Sequence, residues 1–298
     1  MKRKMTMVLA AMMAAGLMAG CSSGTSAETE AAAANEQTEA ETQESSQEES
    51  AEETSQEETE AAAEGEQTEI LVAAAASLKN AYEEELIPMF QEQNPGITVT
   101  GTYDSSGKLQ TQIEEGLEAD VFMSAATTQM DALNEEGLID SETMVDLLEN
   151  KIVLIVPSSS ELGLASFEDI AKAETIALGD PASVPAGQYA EEALTNLGIW
   201  DEIQDKVSFG TNVTEVLNQV AAASADAGIV YATDAASMAD QVTVIAEAPE
   251  GSLAQPVIYP VAVVKTTAHA EAAKAFVDFL QTDEAMAVFE SYGFAPGQ

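Results

Sequence analysis

Cysteine, histidine, arginine and tryptophan each occur only once in this chain, as Cys21, His269, Arg3 and Trp200. One cysteine cannot form an intramolecular disulfide, so the fold must be held by its core alone, which 298 residues can supply. One histidine and one cysteine exclude a Ser-His-Asp or Cys-His catalytic set and any His/Cys metal cluster. His269 itself falls in Thr266-Thr-Ala-His-Ala, which reads as a loop opening a helix. A carboxylate pair is arithmetically available among 53 acidic residues, but no spacing singles one out, and the chain is read as a non-enzyme that needs no cofactor. From Glu69 onward there is no arginine, and seven lysines face a large excess of acids, which excludes nucleic acid as a partner. Long apolar runs are missing as well, so no segment past the first twenty residues reads as a membrane span.

The beginning of the chain is built for export. Lys2, Arg3 and Lys4 precede an apolar run, and Leu17-Met18-Ala19-Gly20 leads directly into Cys21. A secretory signal with a cysteine after Ala-Gly resembles a bacterial lipoprotein signal, so residues 1–20 read as the signal peptide and Cys21 as the site of lipid attachment. An acylated Cys21 anchors the protein to the extracytoplasmic face of the cell membrane. Ser22 to Gln67 holds 15 glutamates and no lysine, arginine, aromatic, Val, Ile, Leu or Met, and cannot bury enough apolar surface to fold. Residues 21–67 therefore form an acidic, self-repelling tether.

After the tether, short β-type runs alternate with helical ones, the pattern of an α/β fold with sheets flanked by helices. The strands read as Ile70 to Ala75, Ile97 to Thr102, Asp120 to Ser124, Ile152 to Val156, Thr175 to Leu178, Gly228 to Tyr231, Thr243 to Ile245 and Ile258 to Val264. Amphipathic stretches fall at Leu78 to Gln91, Lys108 to Gly116, Gln129 to Gly137, Gln188 to Gly198, Thr214 to Ser224 and Ala270 to Tyr292, with Gly116, Gly137 and Gly198 placed as helix stops. Alternation alone fits either one doubly wound domain or two lobes.

One apparent motif is a decoy. Gly101-Thr-Tyr-Asp-Ser-Ser-Gly107-Lys108 follows a strand and precedes a helix as a nucleotide-binding loop does. Its spacing is one residue too long, and Leu109 stands where a magnesium-binding hydroxyl belongs. What does stand out is a set of small polar residues at strand-to-helix turns: Ser77, the pair Ser105-Ser106, Val184-Pro185-Ala186-Gly187, and Asn212-Val213-Thr214-Glu215, which reads as a capping box. Helix N-termini offer free N–H groups and a partial positive end, and so bind anions without any cationic side chain. The acidic surface is screened over roughly 8 Å at physiological salt, whereas donors at contact distance are not.

The same stretches carry a family resemblance. Ala74-Ala-Ala-Ser77-Leu-Lys-Asn80-Ala81, Ser105-Ser106-Gly107, Ala119-Asp120-Val-Phe122-Met-Ser124-Ala125, Gly179-Asp180-Pro181, Val184-Pro185-Ala186-Gly187-Gln-Tyr189-Ala190, Gly228-Ile-Val-Tyr231 and Tyr259-Pro260-Val-Ala-Val-Val264 resemble, in order, the molybdate-binding proteins of ABC importers. The resemblance implies a two-lobed, type II periplasmic-binding-protein fold, each lobe a mixed or mostly parallel sheet flanked by helices, with the ligand in the cleft between lobes. It implies residues 68–150 plus 251–298 as one lobe and 151–250 as the other, with hinge passages near Glu149 to Ile152 and Ala246 to Gln255. It implies hydroxyl contacts from Ser77, Ser106 and Tyr231, and backbone N–H contacts from Ala186, Val213 and the serines. The ligand so implied is molybdate or tungstate, the partners are the permease subunits of an ABC importer, and the protein acts as a monomer. Two departures are Gly107, where relatives can carry a third serine, and Asp104 beside the serine pair. Sulfate, phosphate and small organic acids remain alternative ligands of the same fold.

Overall fold

The computed structural model describes residues 67–297; the signal segment, Cys21 and nearly all of the tether lie outside them. β1 (Thr68–Ala75) reads TEILVAAA, and Val72 to Ala75 are buried on both faces, as befits an interior strand. The chain then winds through a 3-10 turn (Ala76–Leu78), one α turn, α1 (Lys79–Ala81), and a π-helical turn (Tyr82–Leu86) into α2 (Ile87–Gln93). Next come β2 (Ile97–Asp104), α3 (Ser106–Glu114), β3 (Val121–Met123), α4 (Thr127–Glu135), β4 (Val145–Asn150) and β5 (Ile152–Pro157). After a 3-10 segment (Phe167–Lys172) follow β6 (Ile176–Gly179), α5 (Pro185–Asn196), α6 (Trp200–Ile203), β7 (Val207–Gly210), α7 (Val213–Ala221), β8 (Ala227–Tyr231), α8 (Ala232–Ser237) and β9 (Val242–Glu247). β10 (Val257–Val263), α9 (Ala270–Leu280), α10 (Asp283–Ser291) and the short β11 (Ala295–Pro296) complete the chain.

The strands form two mixed sheets, ordered β11-β4-β10-β3-β1-β2 and β7-β6-β8-β5-β9. In the first, β2, β1 and β3 are parallel, while β10 and β4 run antiparallel to their neighbours. In the second, β7, β6 and β8 are parallel and β5 is antiparallel to both β8 and β9. This is a two-lobed α/β architecture. The chain passes between the sheets twice, at Lys151 and between Glu247 and Val257. Lys151 and Glu247 form an ion pair at 3.0 Å beside these passages.

All eight strands read from the sequence are present, and β4, β7 and β11 are added to them. β4 carries Asp146 and Glu149, which mask its alternation; pairing with β10 makes it a strand. One correction concerns the C-terminal helix. Ala270 to Tyr292 is not continuous: Gln281 ends α9, and the Thr282 hydroxyl caps α10 by accepting the Ala285 N–H at 3.2 Å. α7 shows how local chemistry sets an element. Asn212 Oδ1 accepts the Glu215 N–H at 2.9 Å, and Val213, Val216, Leu217 and Val220 recur at helical spacing and are buried. Each is worth about 1.5–3 kcal/mol of burial at most. The cap differs from the expected box in one respect: the Glu215 carboxylate turns back to the N–H and hydroxyl of Thr211, not to Asn212.

Candidate functional site

Six strand-to-helix turns converge on one small cavity. It has a volume of about 10 Å3 and is lined by Ala75, Ala76, Ser77, Asp104, Ser105, Ser106, Ala125, Val184, Pro185, Ala186, Val213 and Tyr231. All five residues singled out in the sequence, Ser77, Ser106, Ala186, Val213 and Tyr231, are among them. Ser77 sits in the turn after β1, Ser106 begins α3, Ala186 is the second residue of α5, Val213 begins α7 and Tyr231 ends β8. The first two belong to the six-stranded half and the other three to the five-stranded half.

The chain folds locally so that donors face inward. In the first turn of α5, Pro185 has no N–H, while Gly187 and Gln188 donate to the Val184 carbonyl, which leaves the Ala186 N–H without an intrahelical partner. In α7 the Asn212 cap takes the Glu215 N–H and leaves that of Val213 free of the helix. Ser106 is fully buried, and its Oγ accepts the Ala125 N–H at 3.0 Å, so the serine proton is left to point elsewhere. Tyr231 Oη donates to the Ala125 carbonyl at 3.3 Å, a long bond that a better acceptor can displace. Burial, reinforced by the neighbouring Tyr259, pushes the Tyr231 hydroxyl well above its ordinary pKa, so it remains a donor.

The carboxylate of Asp104 is already engaged. Its Oδ1 accepts from Ser105 N–H at 2.8 Å, Lys108 Nζ at 3.2 Å and Asn212 Nδ2 at 3.2 Å. The last bond joins the two halves of the molecule, as do Gly107 N–H to Ser183 O at 3.0 Å and Gln129 Nε2 to Gln188 Oε1 at 3.2 Å. Gly107 is what lets α3 come so near, since a Cβ there would stand 2.5 Å from Ser183 O. His269 caps the start of α9, with Nδ1 3.9 Å from Asp120, and lines no part of the chamber.

Three polar residues around the chamber are not assigned to the site from the sequence. The Ser105 hydroxyl is buried and without a partner, and lines the cavity beside Ser106. Tyr259 and Asn150 lie behind Ser77: Tyr259 Oη is 2.9 Å from Ser77 Oγ and accepts from Asn150 Nδ2 at 3.3 Å. The Ser105-Ser106 repeat was the available signal for the first. The other two are 182 and 73 residues from Ser77, and nothing local ties them to it, although Tyr259 opens one of the stretches that carry the family resemblance.

Residues 70–295 match the bacterial extracellular solute-binding proteins. The chain belongs to that family. This solute-binding protein is 42% identical over 225 residues to YvgL of Bacillus subtilis, provisionally named an ABC transporter substrate-binding lipoprotein, covering 76% of this chain and 85% of the relative. It is 41% identical over 234 residues to the molybdate-binding protein ModA of Haemophilus influenzae, covering 76% and 89%. A solved structure from Clostridium difficile, provisionally described as the substrate-binding domain of a molybdenum ABC transporter, superposes with a TM-score of 0.61 at 37% identity, over 78% of this chain and all of that one. The fold is the two-lobed type II fold of periplasmic binding proteins, and the cavity lies between the two sheets of this solute-binding protein, at the ends of their strands.

Proposed function

We propose that this protein captures molybdate outside the cytoplasm, accepts tungstate through the same contacts, and delivers its cargo to the permease subunits of an ABC importer. The observation that carries the reading is the chamber, in which hydroxyls of Ser77, Ser106 and Tyr231 and free N–H groups of Ala186 and Val213 meet in one buried space. Molybdate at neutral pH is a fully deprotonated tetrahedral dianion and only accepts hydrogen bonds, so a wall of donors suits it. Ser105 joins the set. The single lining carboxylate, Asp104, is held by three donors and faces Lys108. Hydrogen bonds to charged groups contribute about 1.5–3 kcal/mol each, and micromolar binding requires roughly 8 kcal/mol, so five to seven donors suffice after losses.

Because the donors come from both halves, occupancy favours the closed arrangement and is reported to the importer by closure. Residues 68–150 with 251–298 form one moving lobe and 151–250 the other, hinged at Lys151 and in the 247–257 passage. Cys21 carries the lipid that holds the monomeric protein at the extracytoplasmic face of the membrane, with the acidic tether as spacer. No bond chemistry belongs to this reading, and the protein is not an enzyme.

Calorimetric titration of residues 22–298 with molybdate, tungstate, sulfate and phosphate at fixed salt tests it. One-to-one binding of molybdate and tungstate is expected, with sulfate and phosphate at least about a hundredfold weaker, roughly 2.7 kcal/mol. The Ser77→Ala, Ser106→Ala double variant should lose some 2–4 kcal/mol of molybdate affinity. Sulfate displacing molybdate at equal concentration would assign the chamber to another oxyanion, and unchanged affinity in the double variant would remove the serines from the site.

A further inference from the structure

Behind Ser77 lies a run of buried polar groups whose donors and acceptors can be assigned one by one. Asn150 Oδ1 accepts the backbone N–H of Lys151 at 2.8 Å, which fixes the orientation of the amide. Its NH2 group therefore faces Thr233 Oγ1 at 2.9 Å and Tyr259 Oη at 3.3 Å. An amide nitrogen has no lone pair to offer, so the Tyr259 oxygen is the acceptor of that bond. Tyr259 is fully buried, and burial pushes its hydroxyl well above the ordinary range, so it keeps its own proton. The acceptor in contact with that proton is Ser77 Oγ at 2.9 Å. With the Tyr259 proton on its oxygen, Ser77 must turn its own proton away from Tyr259, toward the chamber that Ser77 lines.

We infer that Tyr259 and Asn150 are specificity-determining residues: the one-way chain from the Asn150 amide through the Tyr259 hydroxyl to Ser77 Oγ fills one lone pair of that oxygen and commits the Ser77 proton to the chamber. A fully deprotonated oxyanion meets a proton there. An oxyanion that still carries a hydrogen meets the same proton at Ser77, so its own O–H is disfavoured there and must find its acceptor elsewhere in the chamber. Ser106 is biased the same way by the Ala125 N–H, which occupies one lone pair of its oxygen. Asn150 is the residue before the Lys151 passage, and Thr233 belongs to the other half, so the chain that sets the proton also rests on both lobes.

The inference rests on the molybdate reading for its ligand, while the direction of the Tyr259 proton does not. Tyr259→Phe keeps the ring contacts with Tyr231 and Phe294, both at 5.4 Å between centroids, and removes only the hydroxyl. Competition titrations at pH 6 should show molybdate and sulfate weakened by the same factor, about tenfold, with phosphate weakened less or strengthened, because Ser77 is then free to rotate and accept. An equal loss for all three anions would mean a merely structural tyrosine and would overturn the inference. In the Ser77→Ala background, Tyr259→Phe should cost molybdate no further affinity; an additive loss would count against it equally. The unliganded wild-type protein supplies the independent readout. A Tyr259 hydroxyl proton in NMR contact with the Ser77 β protons is expected, and a Ser77 hydroxyl proton lying against the Tyr259 ring would reverse the chain. If the wild-type protein binds no molybdate, the functional reading fails, and the NMR result still decides the proton direction.

Discussion

Asp234, the third residue of α8, is 7% exposed, its Oδ2 has no hydrogen-bond partner, and burial raises its pKa to about 7, against the opposing pull of the Tyr231 N–H. In the unfolded chain the carboxyl ionises near the usual value of about 4. The folded state therefore holds this proton more tightly, is unpenalised below pH 4, and loses stability as pH rises from about 4 to about 7, with the loss complete above that. Asp234→Asn abolishes the titration. Urea unfolding should give the variant a gain over wild type that is a few kcal/mol larger at pH 8 than at pH 4.5, and a gap independent of pH would mean that the carboxyl does not titrate in this window. At this scale the sequence divides sharply. Ser77, Ser106, Ala186, Val213 and Tyr231 could be found because strand-to-helix turns and caps are written in adjacent residues. Asp234 and Tyr259 could not: an acid near a helix start and a tyrosine in a strand are ordinary, and only contacts over 80 residues or more make them otherwise.

Five helices end in a residue of left-handed backbone, but only four with the residue suited to it. Gly116, Gly137, Gly198 and Gly293 have φ of 100°, 75°, 74° and 94° after α3, α4, α5 and α10, the first three as their positions in the sequence predict. After α7 the same place is filled by Ala223 at φ 53°, with the Ala223 N–H on Val220 O and the Ser224 N–H reaching back to Gln219 O. A Cβ in that region costs roughly 1–2 kcal/mol, and glycine gives back part of the gain as unfolded-state entropy. Ala223→Gly should therefore stabilise the protein by about 0.5–1 kcal/mol, read as a rise in denaturation midpoint at unchanged slope; a fall would show that the alanine methyl packs more than it strains. The strands missed from the sequence belong here too. β7 is four residues at a sheet edge with Phe209 exposed, and β11 is two residues, so neither has room for a pattern. The break between α9 and α10 was legible in Thr282-Asp283-Glu284, but the apolar period runs through it and hides the cap.

Across the whole molecule, closure brings backbone against backbone, and Gly107 meets Ser183 across the two halves beside the chamber. Gly107→Ala places a methyl where about 2.5 Å is available. Overpacking of this kind costs about 1–3 kcal/mol, and only in the closed state, so molybdate affinity should fall at least about tenfold. Unliganded stability should hold or rise slightly, because alanine favours the first turn of α3. Equal losses of affinity and unliganded stability would show that the contact persists in the open protein. The two-lobed architecture itself could be read only through the family resemblance, since alternating elements do not say which strands share a sheet. That sharing has a consequence for how the protein is made. All five strands of the second sheet lie within 152–247, whereas β10, between β4 and β3 in the first, comes from residues 257–263. A chain exported amino end first can complete its inserted half early, but must leave the facing edges of β3 and β4 apart until residues 257–263 arrive.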